Sequence, residues 1–244
     1  MKAIEINEKI ASAAERLNIE VGSVSFDLVR IPAGVFMMGA SAKDPDAQAN
    51  EFPARRITIS KSFYLGQYEV TQAQYQEVMG ENPSSRIGSN LPVHELTTAK
   101  ALAFCHKLSA LTGVNVTLPT EAQWEYACHA GTNTRFNLGD GEEDLARAGW
   151  YRENSAEDLH PVGQKKPNAW GLYDMHGNVT EICLDLISSY VTVLPQDPVG
   201  VIDENRSAMR GGGFMHDAAL SRCSARMVAT PRFGGAGMRI VINP

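Results

Sequence analysis

Cysteine is scarce in this chain: four residues in 244, Cys105, Cys128, Cys183 and Cys223, with no C-x-x-C pair among them. That spacing argues against a disulfide-dense scaffold and against a zinc site, and it agrees with a reducing compartment. An excess of positive charge is also missing, since 22 Lys and Arg face 28 Asp and Glu for a net charge of -6. Without a basic run there is no footprint for a phosphate backbone or an anionic bilayer, so nucleic acid and membrane are disfavoured as partners. No stretch approaches eighteen consecutive apolar residues, and the opening MKAIEINEKIASAAERL lacks the apolar core of a signal peptide. The expectation is a soluble, unexported, cytoplasmic chain. The histidines, His94, His106, His129, His160, His176 and His216, show no metal-type pair spacing, and there is neither an H-E-x-x-H helix nor a Ser-His-Asp order for hydrolysis. Internal repeats and low-complexity linkers are absent as well.

What is present is a series of short periodic segments. From Lys2 to Leu17, the residues Ile6, Ile10, Ala13, Ala14 and Leu17 fall near one face at helical spacing, with Glu5, Glu8 and Lys9 elsewhere. This predicts an amphipathic helix that either packs on its own domain or docks a partner chain. Between Phe26 and Phe36, β-branched and aromatic residues interrupted by Pro32 and Gly34 read as strand, bend and strand, and Ser41 to Phe52 reads as a surface loop. Alternation at Ile57, Ile59 and Phe63 predicts a half-buried strand from Arg56 to Tyr64. Thr71 with Gln74 and Thr120 with Gln123 have the spacing of capping boxes, and Gly80 and Gly131 stand where those two helices end. A third helix runs from Thr97 to Leu111, before Gly113. Beyond Gly131 the chain turns rich in Gly, Asn and Asp, with little regular secondary structure expected.

An ordered set of motifs gives these segments a context: IPAGVFMMG, YLGQYEVTQAQYQEVMG, LPTEAQWEYACHAG, PNAWGLYDMHGNVTE, RGGGF and GMRIV. In this order, from about Val29 to Val241, the chain resembles the formylglycine-generating-enzyme (sulfatase-modifying factor) family. The resemblance implies an α+β, C-type-lectin-like fold over residues 25–244, with residues 1–24 as an N-terminal helical extension. It also implies, for catalytic members, a cysteine pair after the glycine-rich strand that binds copper(I) and oxidises a substrate cysteine. Here that stretch reads RGGGFMHDAALSRCSARMVATP, with Cys223 its sole cysteine. One register puts Gly213 and Ala218 at the pair and the other puts His216 at the first thiol, so neither restores it. Copper(I) is soft and is held by thiolates, which makes copper an unlikely cofactor. Cys105, Cys128 and Cys183 are expected in the core, the alternative being that one of them converges on Cys223 through folding. Catalytic candidates are limited to Cys223 and His216.

The remaining expectations concern binding. Asn178 and Glu181 of HGNVTE match positions at which the family resemblance implies calcium, the alternative being a turn-capping Asn and an Arg-paired Glu. Arg210, Arg222, Arg226 and Arg239 are expected in buried pairs with carboxylates such as Asp174 and Asp185, or else one of them grips an anion. Thr98, Thr180 and Ile182 replace tryptophans of the family pattern. Met37, Met38, Met215, Met227 and Met238 are assigned to packing. The leading reading is a pseudoenzyme: a binding member whose 213–235 segment presents Phe214, Met215, His216, Asp217, Met227, Arg232 and Phe233 to a protein or peptide ligand, in the manner of retroelement-diversified relatives. The alternative is a metal-dependent oxidase acting on a cysteine or a small substrate.

Overall fold

The computed structural model describes residues 3–11, 15–190, 192, 194–228 and 236–244. A first helix, α1 (Ala3–Ala11), is followed by β1 (Arg16–Val21), β2 (Val24–Ile31) and β3 (Gly34–Met38). After a loop with one 3-10 turn come β4 (Arg55–Ile59), β5 (Phe63–Gly66), α2 (Gln72–Met79), α3 (Thr98–Thr112), β6 (Val116–Thr117) and α4 (Glu121–His129). The second half holds α5 (Glu142–Ala148), β7 (Thr180–Ile182), β8 (Ala208–Arg210), β9 (Met227–Val228), β10 (Ala236–Gly237) and β11 (Val241–Ile242).

The central sheet has the order β1-β2-β5-β11-β6, and its faces carry two separate cores. Neighbouring strand residues point to opposite sides. Leu28, Tyr64 and Ile242 therefore face a core built with α2 and α3, whereas Val29, Leu65 and Val241 face one built with α4, β3 and β4. A second sheet, β10-β7-β8-β9, carries the glycine-rich segment, and β3 pairs with β4 alone.

Both expected capping boxes form: Thr71 accepts from the Gln74 amide, Thr120 from the Gln123 amide, and each glutamine reaches back to its cap. Gly80 ends α2 with φ 83, a left-handed conformation glycine adopts without penalty. The helix from Thr97 to Gly113 also stands as expected.

Four local expectations are corrected. The amino-terminal helix stops at Ala11, and Leu17 lies in β1, because Leu17, Ile19 and Val21 alternate and pair with β2 through a turn at Gly22. The residues 16–21 are thus part of the central sheet and not of an appended helix. Ile6 is fully buried in the first core, so the apolar face of α1 packs on its own domain. The stretch from Arg56 to Tyr64 divides between two sheets as β4 and β5, and the short α5 was not anticipated. Glu51, placed in a surface loop by its polar surroundings, is fully buried against Arg222.

Candidate functional site

The glycine-rich segment is positioned from beneath by buried charge. Arg210, at the end of β8, is fully buried and donates to Glu121 Oε1 at 2.9 Å, Glu125 Oε2 at 2.6 Å, and the carbonyls of Cys223 and Ala225 at 3.1 and 3.2 Å. Arg226 closes on Glu121 at 2.5 Å, Arg222 on Glu51 at 2.6 Å and Arg239 on Glu181 at 2.9 Å. All four arginines thus hold the fold, as expected, but their partners are glutamates, with Asp44 added for Arg222 at 2.8 Å, rather than Asp174 or Asp185. Asp174 instead accepts the Gly163 amide at 2.6 Å, and Asp185 accepts the amides of Glu121 and Gly200 at 2.8 and 2.7 Å. Burial is the main cause that raises the Asp174 carboxyl to about 6. The neighbouring Glu69 carboxyl is likewise pushed up by burial, then by Asp174 and Glu181.

These contacts answer the calcium expectation. Glu181 gives both oxygens to Arg239 and one to the Trp124 indole at 2.8 Å. Asn178 donates to Glu69 at 2.7 Å and accepts from the His160 amide at 3.1 Å. A calcium ion here would have to displace a guanidinium and an indole, so these residues do not fit the ion and fit the Arg-paired alternative. The hydroxyls that stand in for family tryptophans are satisfied: Thr98 lies 3.1 Å from the Ser207 hydroxyl, and Thr180 is 3.7 Å from the Met209 sulfur.

Above this base the chain turns through Gly211 and Gly212, both left-handed, and a Cβ on Gly212 would come within 2.5 Å of Ser221 Oγ. Residues Phe214 to Asp217 then form a ledge with a fixed backbone. The Phe214 amide donates to Asn178 O at 2.8 Å, while its carbonyl accepts from Ser155 Oγ at 2.7 Å. Arg152 donates to Met215 O at 3.1 Å and pairs with the Asp217 carboxylate. The Arg86 guanidinium stacks 4.7 Å above the Phe214 ring. Met215 itself is 55% exposed, which corrects its assignment to packing; Met37 is exposed too, whereas Met38 and Met238 are buried. His216 is half-buried, and burial, then Arg152, lower its imidazole's proton affinity. Asp217, the neighbour of His216 on the ledge, is held by Arg152. Met227 sits half-buried in β9, whereas Arg232 and Phe233 lie outside the described residues.

Beneath the ledge one of the open alternatives for the cysteines is realised. Cys128, at the end of α4, and Cys223, ninety-five residues away, are both fully buried with sulfurs 3.3 Å apart. The His176 Nε2 lies 3.8 Å from the Cys128 sulfur, so the three donor atoms all lie within 4.8 Å of one another. Burial raises the Cys128 thiol well above its ordinary value. Burial also opposes ionisation of Cys223, yet the facing Cys128 thiol, His129 and His176 outweigh it and hold Cys223 well below. Cys128 is thus no inert core residue, while Cys105 and Cys183 remain buried thiols raised by burial. Of the three cysteines that could have converged on Cys223, folding brings Cys128, a choice that local motif spacing cannot register.

A profile of the sulfatase-modifying factor enzyme 1-like domain matches residues 24–244. The chain belongs to the formylglycine-generating-enzyme family. Among this family's curated members, the chain is 30% identical to the chaperone protein LppX of Paenibacillus barcinonensis, with 83% of each chain covered. It is 27% identical to the formylglycine-generating enzyme of Mus musculus, over 84% of this chain and 71% of that one. Among solved structures, Treponema denticola variable protein 1 superposes with a TM-score of 0.83 at 28% identity, covering 94% of this chain and 99% of that one. PvdO from Pseudomonas aeruginosa does so with 0.82 at 25% identity, over 93% and 98%. No helix among the described residues is long and apolar enough to cross a membrane.

Proposed function

We propose that this family member is a binding protein whose ledge, Phe214 to Asp217 with Met227, holds a protein or peptide ligand. The observation that carries this reading is the pairing of a fixed backbone with an exposed apolar side chain. Met215 projects from a turn held on both sides by Ser155 and Arg152. A preorganised contact of this kind loses little entropy on binding, and methionine adapts to irregular apolar surfaces. Arg86, Arg152 and Asp217 supply a polar rim around it. Relatives described as a chaperone and as a variable protein support recognition of other polypeptides as the activity. Variation of the 213–235 segment from a genomic template would extend the reading to a diversified binder.

The chemistry of the thiols favours binding over oxidation. Cys128 and Cys223 are fully buried, out of contact with anything at the ledge, and His216 stands where one register expects the first catalytic thiol. Against this, relatives described as formylglycine-generating enzymes favour oxidation of a peptide cysteine as the second reading. A displayed-peptide selection on the immobilised protein tests the first. Selected peptides should lose at least tenfold in affinity on Met215→Asp, a change that costs the fold no more than about 0.5 kcal/mol at an exposed position. Equal binding by wild type and M215D would remove the ledge from the account.

A further inference from the structure

We infer that Cys128, Cys223 and His176, with His129 as fourth donor, form a binding site for one zinc ion in the interior of this domain. The site is distinct from the ledge and does not depend on the reading of it. Two sulfurs and one imidazole nitrogen already converge within 4.8 Å of one another. A set of two thiolates and two imidazoles is what a tetrahedral zinc site uses.

Three independent observations point to a ligand. First, His176 Nδ1 lies 2.7 Å from the Ser221 carbonyl, which accepts its proton and makes Nε2 the acceptor, 3.8 Å from the Cys128 sulfur and taking the Asn137 amide in the absence of a metal. Metal-binding histidines are held in their tautomer by this kind of outer contact. Second, His129 is more than nine-tenths buried, yet neither of its ring nitrogens completes a hydrogen bond. Its ring lies against Cys223, and Glu125 Oε1 is 3.9 Å from Nε2. A side-chain rotation would satisfy it on a metal. Third, a cavity of about 410 Å³, lined by His129, Lys43, Asp44, Arg135 and Ser224, brings open space to the His129 side of the cluster.

Charge selects the ion. Two thiolates, two neutral imidazoles and Zn²⁺ sum to zero, which suits an interior where an unbalanced charge is costly. Copper(I) would leave one negative charge. Loading releases two protons, one from Cys128 and one from the Cys223–His129 pair, and forms two zinc–sulfur and two zinc–nitrogen bonds. It displaces the Asn137 amide on His176 Nε2 at 3.0 Å and the contacts that the Cys128 thiol donates to Cys223 at 3.3 Å and to Met175 O at 3.8 Å.

Native mass spectrometry of protein purified under reducing conditions without chelator tests this. The expected mass is that of the chain plus one zinc less two protons, and cobalt(II) exchange should give sulfur-to-metal charge-transfer absorption. Cys128→Ala should lower zinc content at least tenfold. In the wild type, which needs no folding control, alkylation of Cys128 and Cys223 should appear only after chelation. A metal-free mass, a Cys128–Cys223 disulfide, preferential copper(I) loading in competition, or undiminished zinc in C128A would each overturn the proposal.

Discussion

Replacing Arg210 by Met should be among the most damaging single changes to this fold. The guanidinium is fully buried and joins two glutamates of α4 to two carbonyls of the C-terminal segment. Removing one partner of a buried ion pair costs about 3–5 kcal/mol. The lower end applies here, since Glu121 keeps Arg226 and Glu125 keeps the Gly39 amide at 2.6 Å and the Tyr190 hydroxyl at 3.3 Å. The orphaned carbonyls of Cys223 and Ala225 add about 1 kcal/mol each. A total of about 5 kcal/mol is a large part of a stability of roughly 5–15 kcal/mol. It corresponds to a fall in Tm of roughly 10–20 °C for a domain of this size. Urea unfolding followed by tryptophan fluorescence measures it. Because Glu125→Gln removes the charge left behind, Arg210→Met with Glu125→Gln should be less destabilised than the sum of the two single changes, by about 1 kcal/mol or more. A loss below about 1 kcal/mol for R210M, or strict additivity in the pair, would refute the argument that this guanidinium threads the segment onto α4.

Two further expectations concern the same interior. Asp174, raised to about 6 by burial, binds its proton more tightly folded than unfolded, so it stabilises the fold below pH 4 and that contribution fades as pH rises to about 6. A shift of about two units corresponds to about 3 kcal/mol, so Asp174→Asn should flatten the pH dependence of the urea midpoint between pH 4 and 6 and raise stability at pH 7; an unchanged profile would count against it. Gly149 allows a close backbone approach, since a Cβ there would lie 1.5 Å from the His176 carbonyl oxygen. Gly149→Ala should cost about 3 kcal/mol or more and disturb the position of His176, seen as a shifted imidazole resonance; a wild-type melt and spectrum would contradict this.

Local chemistry made part of this molecule legible. Thr71 and Thr120 announced their helices because a capping box is a contact between residues three apart, and α2 and α4 begin there. The amino-terminal stripe failed differently: Leu17 fits a helical face only if the helix continues, and the pairing of β1 with β2 competes for the same residues. Arginines at 210, 222, 226 and 239 read correctly as structural, yet their carboxylate partners, with Asp44 and Glu51 in a loop read as exposed, depend on folding that sequence order does not reveal. Cys128 and Cys223 are the sharpest case, because Cys128 alone resembles an ordinary core thiol and Cys223, a catalytic candidate, has no second thiol in its own segment. Exposure was equally hidden for methionine: Met215 and Met238 look alike in sequence, but one tops a turn and the other lies between strands.

A buried thiol cluster stands apart from an exposed ledge that binds, and this division is the central claim. It is tested most directly by incubating the protein with copper(I), oxygen and a peptide carrying the sulfatase-type Cys-x-Pro-x-Arg motif, with mass spectrometry of the peptide. The division predicts unmodified peptide under conditions in which wild type and a folded Cys223→Ser control behave alike. Formylglycine made by the wild type and lost in C223S would contradict it, and would make Cys223 a catalytic thiol.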